Sequence, residues 1–378
     1  MQACRRSAKM LLGCLTVLGL LLAGCTNIAI PWLNSPPQLG SENPTGARFT
    51  PVGVCEADRT PPEPNATIGK GSDMTLAWIP SQQGLSPFEA NAAGANKAGA
   101  EIGVAVHYTA PATVNATDQA QIIADLVNSS NPPDVIAFST NDPTMIAEEL
   151  IAAKKRGILV VGMDYDVAAS ARDLFIQSTS YSDMGESFVD AAVEKYGDSG
   201  TIGIISTTPE ATIQNEWIRA ITEYGNATYP NLVFEAPTFS DSNAAQSMTE
   251  TIGLMNQHQD LLAVFAFDSF AVAGAIAAVK ANGKSGKIGI WGVSTPKSNA
   301  RYFEDKSLDG LWYWDEEKKG EFLAYVARGI CDNKIPQAGT FLAGALGEYE
   351  VIPEPATNTI IFSPPLLIDQ TNYKNYDF

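Results

Sequence analysis

Aspartates punctuate this chain where a side chain could grip hydroxyl groups. Asp164 and Asp166 close the apolar run GILVVGM, Asp268 closes LLAVFAF, and Asp315 closes GLWYW. An ionised carboxylate offers about four lone-pair positions, so one such residue can accept from two adjacent sugar hydroxyls. The competing roles are helix capping and turn formation, and Asp268 stands where it would cap the helix FAVAGAIAAVK. Aromatic rings supply the complementary half of that chemistry, because their faces pack against the apolar C–H faces of a pyranose or furanose. Trp312 and Trp314 alternate on one strand face, and Phe88 follows the first long strand. Trp312 reads as core packing, whereas Trp314 and Phe88 are expected to touch a ligand. Asn141, Asp142, Gln214, Ser269 and Ser294 join the candidates because they occupy comparable loops.

Other chemistries lack their parts. There is no Gly-x-Ser-x-Gly elbow, and no cysteine of the body has a nearby histidine, so nucleophilic catalysis is not expected. His107 and His258 are far apart and stand without ligand-like cysteine spacing, so neither a metal nor a cofactor is predicted. The run NGKSGK lacks the first glycine of a phosphate loop and precedes a strand, so it reads as a turn. The chain is read as a binding protein and not as an enzyme. Glycoside hydrolysis by a pair of carboxylates is the catalytic alternative.

The elements that must position these residues form a repeating pattern. MTLAWIP, GVAVHY, DVIAFS and GILVVGM alternate with amphipathic segments, in one of which Ile122, Ile123, Leu126 and Val127 share a helical face. TIGIIST, NLVFEA, LLAVFAF and KIGIWGV repeat the scheme. Strands this apolar belong to parallel sheets covered by helices on both faces. The reading is an α/β protein of two doubly wound lobes. Candidate residues then fall at the carboxyl ends of the strands, where open α/β sheets bind ligands. Ser86-Pro87, Asp142-Pro143 and Thr295-Pro296 each place a capping side chain before a proline suited to a first helical turn, and Ser86 with Glu89 fits a capping box.

Upstream of the body, Arg5, Arg6 and Lys9 precede an apolar stretch from Met10 to Leu22 that is too short for a permanent span. The ending Leu22-Ala23-Gly24-Cys25 resembles the lipobox of bacterial lipoproteins. That resemblance implies a signal peptide over 1–24, lipidation of Cys25 and retention on the outer face of the cell membrane. Residues 25–71 are rich in Pro, Asn, Ser, Thr and Gly and read as a flexible tether. A chain of ~45 residues would reach roughly 35–40 Å. Losing the leader takes three positive charges and no acid from the formal net charge of −18, leaving about −21. Such a surface repels nucleic acid, and the membrane is expected to be met only through the lipid. Cys55 and Cys331 remain after the leader and the anchor are counted, and in an oxidising compartment they either pair or stay free.

From about Thr75 to the terminal NYKNYDF, the sequence resembles the type I solute-binding proteins of ABC transporters, and within them the rhamnose- and autoinducer-2-binding group. The segments STNDPTMIAEELIAAKKRGILVVGMDYD, TPEATIQNEWI and WGVSTPKSNARYFEDKSLDGLWYWD carry the likeness. It implies two lobes joined by three crossover strands, here 72–177 plus 315–347 and 178–314 plus 348–378, closing on a monosaccharide-sized ligand. It also implies a monomer that delivers the ligand to a membrane permease driven by a cytoplasmic ATPase. By position, the family's ring-stacking aromatic matches Phe88 and its hydroxyl-binding aspartate matches Asp164. The second-lobe contacts match Gln214, Asn215, Asp268 and Ser269, and the crossover tryptophan matches Trp314. The chain departs from the autoinducer-2 binders at Ser81, where they carry lysine, and at Ile213-Gln214, where they carry Asp-Gln. It also has Phe267-Asp268-Ser269 for Pro-Asp-Ala. Loss of a cation and a carboxylate, with bulk added at Phe267, favours a neutral deoxyhexose or pentose. Autoinducer-2, another small polyol-like ligand, and a role as a sensor for a chemoreceptor or kinase are the alternatives.

Overall fold

The computed structural model describes Cys55 and residues 65–140, 142–352 and 358–376. Cys25, its leader, most of the tether and Asn141 lie outside the described residues. The first half of the body runs β1 (Ala66–Ile68), β2 (Met74–Ile79), α1 (Ser86–Ile102), β3 (Val104–Tyr108), α2 (Ala116–Asn128), β4 (Val135–Phe138), α3 (Ala147–Lys155), β5 (Leu159–Met163) and β6 (Leu174–Gln177). Next come α4 (Tyr181–Tyr196), β7 (Gly200–Ser206), α5 (Thr212–Thr228), β8 (Leu232–Phe234), β9 (Thr238–Phe239) and α6 (Ala244–Gln257). They are followed by β10 (Leu261–Ala266), α7 (Ser269–Ala281), β11 (Gly289–Val293), α8 (Pro296–Glu304) and β12 (Gly310–Tyr313). The chain finishes with α9 (Glu316–Cys331), β13 (Gly339–Ala343), β14 (Glu348–Ile352), β15 (Thr359–Ile361) and β16 (Leu366–Ile368).

Among the described residues these strands make two sheets, ordered β1-β13-β14-β15-β6-β5-β4-β2-β3 and β16-β12-β11-β10-β7-β8, with β9 beside β7. Strands β2 to β6 pair in parallel, as do β7, β8, β10, β11 and β12. Alternation along β2 explains the continuous apolar runs. Leu76 and Trp78 enter one core, and Ala77 and Ile79 enter the core on the opposite face. Strand β10 divides in the same way, with Val264 and Ala266 on one side and Ala263 and Phe265 on the other. A strand buried on both faces needs apolar residues at every position.

Strand order reverses on either side of β2 in the first sheet and of β7 in the second. The loops after β2, β4, β7 and β10 therefore flank the crevices where such sheets take ligands. The chain passes between the sheets at 178–180, 314–315 and 362–365. Two of these passages touch, because Ser363 N–H donates to the Ser178 carbonyl at 3.1 Å.

Several local expectations change. Strands β14 and β15 pair within the nine-stranded sheet, so residues 348–352 and 359–361 lie with the first lobe and not the second, and only β16 joins the other sheet. Residues 66–68 pair with β13, so the tether ends earlier than 71. Cys55 and Cys331 form a disulfide that fastens the segment before β1 to the end of α9. The cap of α1 is Leu85, without a side-chain bond, so Ser86 and Glu89 form no capping box. Asp142 accepts from the Thr144 and Met145 amides, a turn that delays α3 to Ala147. Thr295 does precede Pro296 at the start of α8, although its side chain makes no cap bond.

Helices α1 and α9 cross at glycines. A Cβ on Gly94 would stand 1.9 Å from the Glu317 carbonyl oxygen, and one on Gly320 would stand 2.0 Å from that of Asn91. This close crossing presses the first turn of α9 against the second and third turns of α1.

Candidate functional site

Asp164 is the first residue beyond β5 and sits at φ 64°, in the left-handed region that Asp tolerates better than most residues. Its carboxylate is held by the Lys319 ammonium, with Nζ 2.9 Å from each oxygen. The Ser178 hydroxyl donates to the same group. Lys319 is fully buried and also reaches Glu316 Oε2 at 2.8 Å and Ser178 Oγ at 3.0 Å. Glu316 accepts in turn from Asn91 Nδ2 at 2.7 Å and from the Trp314 indole at 3.0 Å. Burial drags the Lys319 pKa down, but Asp164 and Glu316 push it up by more, so the ammonium stays charged. Burial raises the Glu316 pKa against the opposing pull of Lys319.

Trp314 is half-buried, stacks on Tyr313 at 5.3 Å between centroids, and packs against cores of both sheets. The Lys319 ammonium lies 5.1 Å from its ring centroid. One cation therefore joins an acid able to accept hydroxyls to an aromatic face able to stack on a ring. Phe88 is half-buried near the start of α1 and meets Trp78 edge-on at 6.2 Å. Asp315 caps α9 by accepting from Lys318 N–H at 3.0 Å. Trp312 is core, stacked on Phe188 at 4.1 Å.

In the second sheet, Asp268 caps α7, with Oδ1 taking the Ala271 amide at 2.6 Å and Oδ2 taking the Ser242 hydroxyl at 2.8 Å. It does this while half-exposed, which leaves lone pairs free. Ser269 pairs with Ser294 at 2.6 Å, and Asn299 donates to that Ser294 oxygen at 2.7 Å. Gln214 is more fully engaged. Its Oε1 accepts from Ser206, from the Thr207 amide and from the Thr207 hydroxyl, and its Nε2 donates to the Phe267 carbonyl at 3.2 Å. This side chain ties the loop after β7 to the end of β10 and keeps one amide hydrogen for anything else. Asn215 donates to the Pro209 carbonyl at 2.8 Å, while its Oδ1 is buried and has no partner among the described residues. The Phe267 ring turns into the core against Phe188 and Trp217, so its bulk does not shape the crevice.

Asp142 uses Oδ1 on Thr144 and Met145, and the Thr144 hydroxyl bond holds its carboxyl below the usual aspartate range. Asp166 does not face a ligand as a free acid, since Arg172 grips both its oxygens at 2.5 and 2.7 Å. Asn141 and Cys25 lie outside the described residues. The sequence reading missed Ser178, Glu316 and Lys319. It also missed two buried hydroxyls that lack partners among the described residues, Ser139 beyond β4 and Thr179 in a crossover. A periodic signal was available, because Glu316 and Lys319 lie at helical spacing with the buried Leu323, Val326 and Ile330.

Comparison with known proteins places this geometry. A family profile described as the periplasmic binding protein domain matches residues 76–335. A solved sugar ABC transporter protein from Actinomyces odontolyticus superposes with TM-score 0.72 at 26% identity, covering 82% of this chain and 100% of its own. A solute-binding protein from Clostridium phytofermentas with bound L-rhamnose gives TM-score 0.69 at 21% identity, covering 81% and 98%. LsrB from Clostridium saccharobutylicum in complex with AI-2 gives 0.68 at 23%, covering 80% and 100%.

Proposed function

The chain belongs to the periplasmic binding protein domain family, a family of sugar-type solute binders and not of enzymes, and on that premise we propose that it captures a neutral monosaccharide and delivers it to an ABC importer. The observation that carries the reading is the cluster in which Asp164 and Trp314 share the Lys319 ammonium at a crossover between the sheets. A carboxylate that a buried ammonium holds by both oxygens is a well-oriented acceptor for sugar hydroxyls. Trp314 and Phe88 supply ring faces, and Asp268 with the free oxygen of Asn215 supplies polar contacts from the second sheet. Contacts from both lobes are satisfied together only when both meet one ligand, which gives closure its driving force.

Charge selects the ligand class. The ammonium beside Asp164 is engaged by two acids, and Ser81 stands where the autoinducer-2 binders place lysine. An anionic ligand would meet Asp164 and Asp268, and among the described residues the one ammonium beside Asp164 is already engaged by Asp164 and Glu316, so a deoxyhexose or pentose fits better than a uronate or a sugar phosphate. The anchor at Cys25 would hold the receptor outside the cell beside its permease. The test is a titration-calorimetry and thermal-shift panel of rhamnose, ribose, xylose, galactose and autoinducer-2, with small-angle scattering of each binder. One neutral sugar that binds and shrinks the radius of gyration is expected. Indifference to every sugar, or binding of autoinducer-2 alone, would overturn the reading.

A further inference from the structure

Lys319 is an odd residue to bury. A cation of its size costs several kcal/mol to desolvate, and an apolar replacement of the whole ion cluster is often neutral or stabilising. Its three N–H donors go to three different stretches of chain: Asp164 after β5, Ser178 at the first crossover, and Glu316 just past the second. The third crossover joins the same knot through Ser363 and Ser178. Neither packing nor helix propensity requires a lysine here. Glu316 alone could be satisfied by Asn91, Tyr313 and Trp314.

We infer that Lys319 is the positioning residue of the binding site, fixing the Asp164 carboxylate for the ligand through a contact that also ties it to the crossovers. This rests on the reading of Asp164 as the hydroxyl acceptor and names what makes that acceptor competent. With both oxygens held by one ammonium at 2.9 Å, the carboxylate cannot swing about its Cα–Cβ bond. Its remaining lone pairs therefore keep one direction. Without the ammonium, nothing would hold both Asp164 oxygens in place, and the Glu316 carboxylate would push the like-charged Asp164 away from its present direction. The groups that would feel that change are Asp164 and Glu316 with the Tyr313 hydroxyl 3.3 Å from Glu316, and Tyr165 and Tyr181, whose pKa values burial raises first and nearby acids including Asp164 raise further.

The test uses the whole mature protein and the sugar found by the panel. Lys319→Met combined with Glu316→Gln removes the cation and the fully buried acid, leaving only the less buried Asp164 carboxylate, and should weaken sugar binding by tenfold or more while the protein still unfolds cooperatively. Adding Asp164→Asn to that pair should weaken binding little further, because the acceptor is already mispositioned. A merely structural lysine would give losses that multiply. Lys319→Gln is the second variant, read by the same cycle if the pair does not fold. The inference is overturned if Asp164→Ala weakens binding while the lysine variants bind as the parent does, or if the losses multiply. If Asp164→Ala itself leaves affinity unchanged, the functional reading has failed instead.

Discussion

Removing the Asp164 side chain separates ligand recognition from folding more cleanly than any other single change. Lys319 takes both carboxylate oxygens and Ser178 takes one, which leaves about one strong acceptor position facing outward. A hydrogen bond to a charged acceptor contributes about 1.5–3 kcal/mol, so Asp164→Ala should raise the sugar Kd by roughly 10- to 150-fold. The fold should survive, because Lys319 keeps Glu316 at 2.8 Å. Backbone conformation offers an internal control. At φ 64°, alanine pays a left-handed cost that glycine avoids, so Asp164→Gly should be about 1 kcal/mol more stable than Asp164→Ala yet bind sugar no better. Calorimetry gives the two Kd values and urea titration gives the stabilities. An unchanged Kd in both variants would refute the placement of Asp164, and a Kd that tracked stability would show the loss to be indirect.

Three further outcomes follow from other contacts. Gly320→Ala places a Cβ against a backbone oxygen of α1 that cannot move alone, so it should destabilise by about 1–3 kcal/mol in urea unfolding. Reducing the Cys55–Cys331 bond should lower Tm by several degrees, given the 2–4 kcal/mol typical of a native disulfide. It should leave the sugar Kd alone, since Cys331 is about 22 Å along α9 from Glu316. Thr144→Val should raise the Asp142 pKa in an NMR titration. The folded-state value is depressed, so the bond's contribution is present above the unfolded aspartate value and disappears as pH falls below it.

The sequence was most legible where burial is two-sided. Six apolar runs marked β2, β4, β5, β7, β10 and β11, because a strand between two helical layers cannot hide polar residues, while the runs at β3 and β8 belong to edge strands that leave residues exposed. Strands β14 and β15 carried no such signal. In β14 only Val351 is buried among exposed and half-exposed neighbours, and β15 is three residues long, so both were given to the wrong lobe. Their partners are antiparallel or distant in sequence, and no local pattern encodes that pairing. Trp312 and Trp314 were told apart by position, since Trp312 was read as core packing and is sealed on Phe188, while Trp314 stays half-exposed at the crossover.

The candidate site divides along a similar line. Candidates at strand-end loops, such as Asp164 and Asp268, are visible because the loop position alone suggests a role. Residues that act through burial are not. Within DEEKKG, Glu316 and Lys319 look like a solvated run at a helix start, and only their helical spacing with the apolar face of α9 hinted at burial, which the glycine crossing of α1 over α9 makes possible. Gln214 shows the converse case, since its position suggested a ligand contact while three protein donors already occupy its oxygen and only one amide hydrogen remains. Loop position therefore identifies where a binding residue could stand, and the count of lone pairs left after folding decides whether it can bind. By that measure Asp164, Asp268 and Asn215 retain capacity and Gln214 retains little. Gln214→Glu should thus disturb the end of β10 and lower stability before it alters which sugar is chosen, which a thermal-shift comparison across the panel would register as a uniform drop in Tm with an unchanged rank of ligands.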